Sequence, residues 1–342
     1  MAIYILDIET DSLDATTIWC VCVKTLGSDE WVVATKPEDL SFINTDDTII
    51  THNGIEFDIP ILNRLWSTGI TLGQVRDTLI MSRLFNPDRD GGHSLGMWGK
   101  RLAFDKLGFA DFDQYCKRDV ALTEKVYLHL KREGSKFSSK CIVLEHEIAH
   151  IINLQSKHGF YLDRKKADNL FEETYSKAKK IEHEIKQEFK PKPRFIREVT
   201  PRIKKDGTVS SVGLNTIDNY CETVGGALSL FKYEPFNLAS PKQIIERLDS
   251  CGWSPVMFTP KGSPKICERN LETISDNAPA SAKKLAEWKM LESRWKTVES
   301  WLKFCEADNR IHGKVFTLGA VTGRMTHASP NMANVVSSEK PY

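Results

Sequence analysis

The fold is decided by a short stretch at the start of the chain, Ile3-Tyr4-Ile5-Leu6-Asp7-Ile8-Glu9. Its β-branched and apolar residues predict a β-strand. Because side chains alternate across a strand, Asp7 and Glu9 lie on one face and Ile8 lies on the other. Two carboxylates this close repel each other and stay ionised together only beside a cation. The strand is therefore a candidate metal site, and two solvated acids at an exposed strand end are the alternative.

More strands and helices are predicted around this first strand. Residues 18–24 and 30–34 predict strands that complete an antiparallel meander, and residues 48–51 predict another strand. Amphipathic helices are predicted at 59–67, 77–84 and 111–132. This order predicts a mixed α/β fold with one sheet domain over residues 1–135.

The rest of the chain is predicted to be mainly helical. Long helices are expected at 142–155, 163–189, 241–250 and 281–305. The last carries an apolar stripe that predicts core packing, namely Leu285, Trp288, Leu291, Trp295, Val298 and Leu302. Three prolines exclude a single helix across 190–207. Residues 186–205 carry eight basic side chains and two acidic ones, which makes this predicted loop either a solvated segment or a surface facing phosphates.

Composition narrows the functional class. The 342 residues suggest two or three domains. With 47 basic and 46 acidic residues the net charge is +1, so a nucleic-acid-binding surface must be local. No apolar run predicts a membrane span, and the first residues do not resemble a signal peptide. The eight cysteines form no C-x-x-C pair, which is typical of reduced thiols in a cytoplasmic protein.

Two further motifs carry acidic residues. In His52-Asn53-Gly54-Ile55-Glu56-Phe57-Asp58, the last residue opens a predicted helix, where it either caps the helix or faces a metal. Tyr115 and Asp119 are four residues apart on one helical face, an arrangement that suits a water molecule held between them. A partly buried tyrosine beside a solvated acid is the alternative.

Taken in order, the three motifs resemble the DEDD superfamily of 3′–5′ exonucleases, in the subtype with tyrosine in the third motif. The matching residues are, motif by motif, Asp7 and Glu9, Asn53 and Asp58, and Tyr115 and Asp119. The resemblance implies a ribonuclease-H-like fold for residues 1–135. It also implies phosphodiester hydrolysis with two ions, Mg²⁺ or Mn²⁺, about 4 Å apart.

The resemblance assigns roles to these residues. Asp7 would bridge the two ions, Glu9 and Asp119 would hold the first, and Asp58 would act on the second through water. Tyr115 and Glu9 would orient the attacking water. The terminal nucleotides would be gripped by Thr10, Leu13, Asn53 and Phe57.

The tail carries a second resemblance. It contains Gly319-Ala320-Val321-Thr322-Gly323-Arg324-Met325-Thr326-His327, followed by Ser329-Pro330-Asn331-Met332-Ala333-Asn334. This is similar to the segment that leads into the palm of family A (DNA polymerase I type) DNA polymerases, in the form found in short-tailed phages. The resemblance implies primer–template contacts from Thr322, Arg324, His327 and Asn331. It predicts a helical connector and thumb over 136–310, with a basic loop at 190–235, and the start of a palm over 311–342.

Together the resemblances predict a proofreading exonuclease that binds single-stranded 3′ ends and primer–template DNA, in the host cytoplasm if a phage encodes it. The palm aspartates and the fingers would lie beyond Tyr342. The chain is thus expected to be a fragment or the N-terminal subunit of a split polymerase, with a second polypeptide supplying palm and fingers. Some phage relatives bind host thioredoxin through a thumb insertion, but the corresponding stretch here is short, so thioredoxin binding is not expected.

Three alternatives belong to other classes. The segment His146-Glu147-Ile148-Ala149-His150 matches the H-E-x-x-H signature of zincin metalloproteases, in which Glu172 or Glu173 could be a third zinc ligand. The alternative is a solvated helix face that carries the same motif by chance. A DNA-binding module could keep the acids and leave the exonuclease idle, serving a separate catalytic chain. An enzyme acting on RNA or short oligonucleotides shares the acidic motifs but lacks the 322–324 segment.

Overall fold

A computed structural model of the chain describes residues 1–105, 112–200, 204–208, 221–224 and 227–335. The predicted helix start at Asp111, part of the predicted basic loop and residues 336–342 of the predicted palm lie outside this set.

The described residues form two compact units. The first unit is Met1–Leu162 with Phe304–Val335, and the second unit is Asp163–Lys303. Packing therefore divides the chain near 162 and 304, whereas the sequence-based domains divide it after 135 and 310.

The first unit is built on a five-stranded mixed sheet in the order β3-β2-β1-β4-β5. Its strands are β1 Ile3–Thr10, β2 Ile18–Thr25, β3 Trp31–Ala34, β4 Thr48–Thr51 and β5 Val75–Asp77. The predicted antiparallel meander is confirmed, because β2 pairs antiparallel with both β1 and β3. Strands β4 and β5 continue the sheet in parallel with β1. The acid-bearing strand β1 is thus the central strand, which explains its largely apolar sequence.

Helices cover both faces of this sheet. They are α1 Asp58–Trp66, α2 Thr78–Phe85, α3 Leu95–Arg101, α4 Phe112–Glu133 and α5 Ser139–His158. Leu6 and Ile8 belong to the core on the α1 side. Ile5 belongs to a separate cluster that includes Cys116 of α4, which lies across β1 and β2. Short strands complete the unit, namely β6 Phe160–Tyr161, β10 Arg310–Ile311, β11 Lys314–Phe316 and β12 Thr326–Ala328.

The second unit is mainly helical in its described part. Its elements are α6 Arg164–Glu188, β7 Lys192–Val199, β8 Cys221–Val224, β9 Ala227–Glu234, α7 Pro241–Asp249, α8 Glu268–Leu271 and α9 Ala280–Phe304. The predicted stripe of α9 packs as core through Leu285, Trp288, Leu291 and Val298. None of the helices described in either unit has the uninterrupted apolar length that a membrane crossing requires.

The prediction of a basic loop over 190–235 is wrong for residues 192–199, 221–224 and 227–234, which form strands. Strands β7, β9 and β8 form an antiparallel three-stranded sheet in that order. The prolines do exclude a helix, but Pro193 is tolerated because β7 is an edge strand. Phe195 and Ile196 favour a strand, and Phe195 contacts Phe231 of β9 edge-on at 5.8 Å.

Candidate active site

The two acids of β1 lie together as the alternation predicts. Asp7 and Glu9 each present a carboxylate oxygen, and these oxygens lie within 4.8 Å of each other and of the Cys116 sulfur. Both acidic side chains are half-buried, while Leu6 and Ile8 on the opposite face are buried in the core. The sequence prediction that the two carboxylates share one face is confirmed.

Asp58 contributes a third carboxylate from the start of α1. It is the first residue of the helix, while Phe57 occupies the cap position. Its Oδ1 accepts a hydrogen bond from the Ile8 N–H at 3.2 Å, so the carboxylate lies directly against the backbone between Asp7 and Glu9. Of the two roles predicted from sequence, the helix cap is therefore wrong.

The environment of Asp58 disfavours its negative charge. Burial, together with the nearby carboxylates of Asp77 and Glu9, raises the pKa of Asp58 to about 7. Negative charge thus accumulates at this point of the sheet, which is the electrostatic condition for holding a cation.

This charge predicts a pH dependence of stability. Asp58 has a higher pKa in the folded protein than in the unfolded chain. It therefore stabilises the fold fully at pH values below its unfolded pKa, and this stabilisation is lost as the pH rises through about 7. In EDTA, the free energy of unfolding should therefore fall between pH 5 and pH 8. Asp58→Asn should flatten that slope and gain about 1–4 kcal/mol at pH 8. Urea unfolding of both proteins at several pH values measures this, and equal slopes would contradict it.

Helix α4 brings the third motif against β1. The Cys116 thiol donates to the main-chain carbonyl of Asp7 at 3.4 Å, and its sulfur lies 3.7 Å from Asp7 Oδ2. Tyr115 is half-buried on the preceding position, and Asp119 is buried one turn later. The contact through Cys116 therefore places the turn that carries Tyr115 and Asp119 beside the acids of β1.

The loop of the second motif is held by a residue that sequence reasoning missed. The buried carboxylate of Asp77 accepts hydrogen bonds from the N–H groups of Asn53 at 2.9 Å, Ile55 at 3.2 Å and Leu79 at 2.9 Å. Asn53 has a φ of 71°, in the left-handed region that asparagine tolerates. Asp77 thereby fixes the backbone of Asn53, and the available sequence signal was an aspartate at the start of the predicted helix 77–84, where it caps α2.

The zincin alternative is contradicted by the positions of its histidines. His146 is buried, and its Nε2 accepts a hydrogen bond from the Asp77 N–H at 2.7 Å. Its Nδ1 lies 2.7 Å from the Ile142 carbonyl oxygen and so carries the proton. Burial lowers the pKa of His146, which favours this neutral form. With both ring nitrogens committed, His146 supports β5 and is not a zinc ligand.

Replacing His146 should lower the free energy of unfolding, whereas replacing His150 should not. His146→Ala leaves the Asp77 N–H buried without its acceptor, so we expect a loss of about 1–3 kcal/mol in the free energy of unfolding. His150→Ala, one turn later on α5, is the matched control and should change it by less than about 0.5 kcal/mol. Urea unfolding measures both, and equal losses would contradict the structural role of His146.

The other predicted substrate contacts range from half-buried to exposed. Thr10 donates its hydroxyl to the Ser12 carbonyl at 3.0 Å, Leu13 is 88% exposed, and Phe57 is half-buried beside the core. Thr322 and Arg324 are exposed in the turn between β11 and β12. His327 lies on β12 and pairs with Val315.

Asn331 lies just beyond β12. Its Oδ1 accepts from the Ala333 N–H at 3.0 Å, so in this structure the Asn331 side chain shapes its own turn.

The acidic donors suit a hard divalent cation. Asp7 and Glu9 offer carboxylate oxygens, the ligand type that Mg²⁺ and Mn²⁺ prefer. Asp58 adds a third carboxylate beside them, and its pKa is raised first by burial and then by the charges of Asp77 and Glu9. Cys116 is the one soft donor within the group, and sequence reasoning did not single it out.

Comparison with known proteins places the chain among polymerase relatives. Residues 214–341 match the family model described as DNA polymerase family A. The chain is 24% identical to the DNA-directed DNA polymerases of Escherichia phage T7 and Enterobacteria phage T3, over 86% of this chain and 56% of each relative. It thus spans about half the length of these curated relatives.

A solved structure agrees with these matches. The POL domain of Pol1 from M. smegmatis, in complex with DNA primer-template and dNTP, is similar with a TM-score of 0.66 at 15% identity, over 98% of this chain and 52% of that one. The chain is therefore related to the family A DNA polymerases, and the resemblance of the tail is confirmed at this level. The acidic motifs lie outside the matched residues 214–341, and the exonuclease assignment stays a prediction.

Proposed function

We propose that this chain carries the metal-dependent 3′–5′ exonuclease of a family A DNA polymerase, with a ribonuclease-H-like arrangement in its first unit. The observation that carries the proposal is the convergence of three separate motifs on one strand. The carboxylates of Asp7 and Glu9 lie together, Asp58 binds the intervening Ile8 N–H, and Cys116 joins the α4 turn to Asp7. Relatedness to DNA polymerases supplies the biological context.

The residues divide the chemistry among them. Asp7, Glu9, Asp58 and Asp119 would hold Mg²⁺ or Mn²⁺. When bound, such ions lower the pKa of an attacking water and stabilise the departing oxygen. Glu9 and the Tyr115 hydroxyl would orient that water for attack on the terminal phosphodiester.

The terminal nucleotide would be positioned by the loop of the second motif. Asn53 and Asp77 line one cavity, and Phe57 carries an aromatic ring on the same loop as Asn53. Base stacking on aromatic rings tolerates any sequence, which suits an exonuclease. A mismatched end costs least to unpair, so single-strand capture at this loop would favour mismatched primers.

Duplex binding would fall to the exposed turn between β11 and β12. Arg324→Ala removes a cation from this turn, so we expect primer–template binding to weaken roughly 3–10-fold and its salt dependence to lose about one unit of slope. Single-strand hydrolysis should stay within about twofold of wild type, since binding and cleavage use separate residues.

Fluorescence anisotropy across a salt series measures this binding. Lys36→Ala, an exposed basic residue elsewhere in the first unit, is the control and should leave both properties unchanged. If Arg324→Ala instead abolished single-strand hydrolysis, this division of roles would be wrong.

A further inference from the structure

Three cysteines meet directly beside the acidic residues. Cys20 and Cys22 lie on β2 and Cys116 lies on α4, with their sulfur atoms all within 4.8 Å of one another. Their burial is nearly complete, with at most 2% of any of the three exposed. We call these three residues the thiol cluster.

The strand register explains why the thiol cluster adjoins the candidate active site. In the antiparallel pair of β1 and β2, Asp7 is opposite Cys22 and Glu9 is opposite Cys20. Paired residues of neighbouring strands present their side chains on the same face. Cys116 then belongs to both groups, since its sulfur also lies within 4.8 Å of the Asp7 and Glu9 oxygens.

Apolar packing accounts for part of this arrangement. The thiol cluster shares its surroundings with Ile5, Ile50 and Val120, and buried cysteines behave as small apolar residues. Packing alone, however, does not require three sulfur atoms to converge on one point. Zinc–sulfur bonds of about 2.3 Å place the sulfurs of a tetrahedral site roughly 3.8 Å apart. The thiol cluster thus needs displacements of no more than about 1 Å to enclose such an ion.

We propose that the thiol cluster binds one thiophilic cation of the Zn²⁺ or Cd²⁺ type through Cys20, Cys22 and Cys116. Thiolates select such ions over Mg²⁺, which prefers oxygen ligands. Asp7 Oδ2, 3.7 Å from the Cys116 sulfur, is a carboxylate oxygen placed to complete four-fold coordination. The two sites are therefore adjacent but prefer different metals.

Occupation of the thiol cluster should switch off hydrolysis, and this consequence rests on the proposed exonuclease function. A cation held by the thiolates would also coordinate the Asp7 carboxylate, which would then no longer be available to Mg²⁺ or Mn²⁺. A soft metal ion would then inhibit without displacing DNA, because the thiol cluster is buried and lies away from the exposed surface.

Cadmium titration of the full chain in excess Mg²⁺ tests the binding. We expect the ultraviolet thiolate-to-cadmium absorption to saturate at one equivalent, with X-ray absorption showing three sulfur ligands. Cys20→Ser should remove about one third of the absorption and weaken binding at least about tenfold. Cys141→Ser, which removes an exposed thiol on α5, is the control and should change neither.

The X-ray absorption arm uses the unaltered chain, so it decides the question even if Cys20→Ser fails to fold. Coordination by oxygen and nitrogen alone, or by a single sulfur, would overturn the proposal. A measurement of hydrolysis separates the proposal of the thiol cluster from the proposed exonuclease function. Cadmium should inhibit Mg²⁺-dependent hydrolysis at least about tenfold more strongly in wild type than in Cys20→Ser. Three-sulfur binding in a chain that never hydrolyses DNA would support the thiol cluster and refute the exonuclease.

Discussion

Asp7→Ala is expected to lower the rate of 3′-terminal hydrolysis at least about 10³-fold, while the chain stays folded. The Asp7 carboxylate lies at the meeting point of the three motifs, close to Glu9 and in contact with Cys116. A divalent ion contributes several kcal/mol of transition-state stabilisation, and each 1.36 kcal/mol corresponds to about tenfold in rate. Single-turnover hydrolysis of labelled single-stranded DNA in Mg²⁺ measures the loss.

The control for Asp7→Ala is an aspartate in the turn between two strands of the same sheet. Asp29→Ala removes an exposed carboxylate between β2 and β3 and should leave the rate within about twofold of wild type, since surface charges far from a site have small effects. Circular dichroism shows whether both variants keep their secondary structure. A folded Asp7→Ala variant with near-normal hydrolysis would refute the metal assignment.

Asp77→Ala is expected to destabilise the first unit by about 3–5 kcal/mol. The Asp77 carboxylate accepts three main-chain hydrogen bonds, and truncating a buried acceptor leaves those N–H groups unsatisfied. The loop that carries Asn53 should loosen as well, so terminal-nucleotide binding should weaken even where the protein stays folded. Urea unfolding of the full chain measures the first effect.

A conservative variant sharpens this test. Asp77→Asn keeps one oxygen, which can still accept from Asn53 and Leu79, but turns an amide donor toward the Ile55 N–H. The loss in the free energy of unfolding for Asp77→Asn should therefore be smaller than that for Asp77→Ala. The exposed Asp46→Ala is the surface control, with an expected change below about 0.5 kcal/mol. If Asp77→Ala were no worse than Asp46→Ala, the supporting role of Asp77 would be wrong.

Local patterns were enough to predict the framework of the first unit. The two-residue period of β1 gives the common face of Asp7 and Glu9, and the apolar pattern after Asp58 gives the start of α1. The same holds in the second unit, where the helix predicted to begin at 163 is α6, and the Asp163 carboxylate caps it by accepting from the Lys166 N–H. These features depend on neighbours only a few residues away.

The supporting contacts depend on distant residues and could not be predicted in this way. Asp77 and His146 are 69 residues apart, so no local pattern links the Asp77 N–H to the His146 ring. The residue types and spacing of the zincin signature alone therefore fitted a zinc site. Cys116 and Asp7 are 109 residues apart, and only the packing of α4 on β1 shows that they touch.

The basic stretch shows a different limit of sequence reasoning. Its prolines exclude a helix, but they do not show that β7 pairs with β9, about 40 positions later. The ion pair between Arg194 Nη1 and Glu234 Oε1, at 2.8 Å, joins the same two strands. Charge composition alone gave a loop, since long-range strand pairing leaves little trace in a single segment.

The most direct test of the central claim uses the unaltered chain and single-stranded DNA labelled at its 5′ end. With Mg²⁺ or Mn²⁺ we expect a ladder of products that shortens from the 3′ end, and with EDTA we expect intact DNA. Absence of cleavage in both metals, with primer–template binding retained, would contradict the exonuclease and favour a DNA-binding module whose acids do no chemistry.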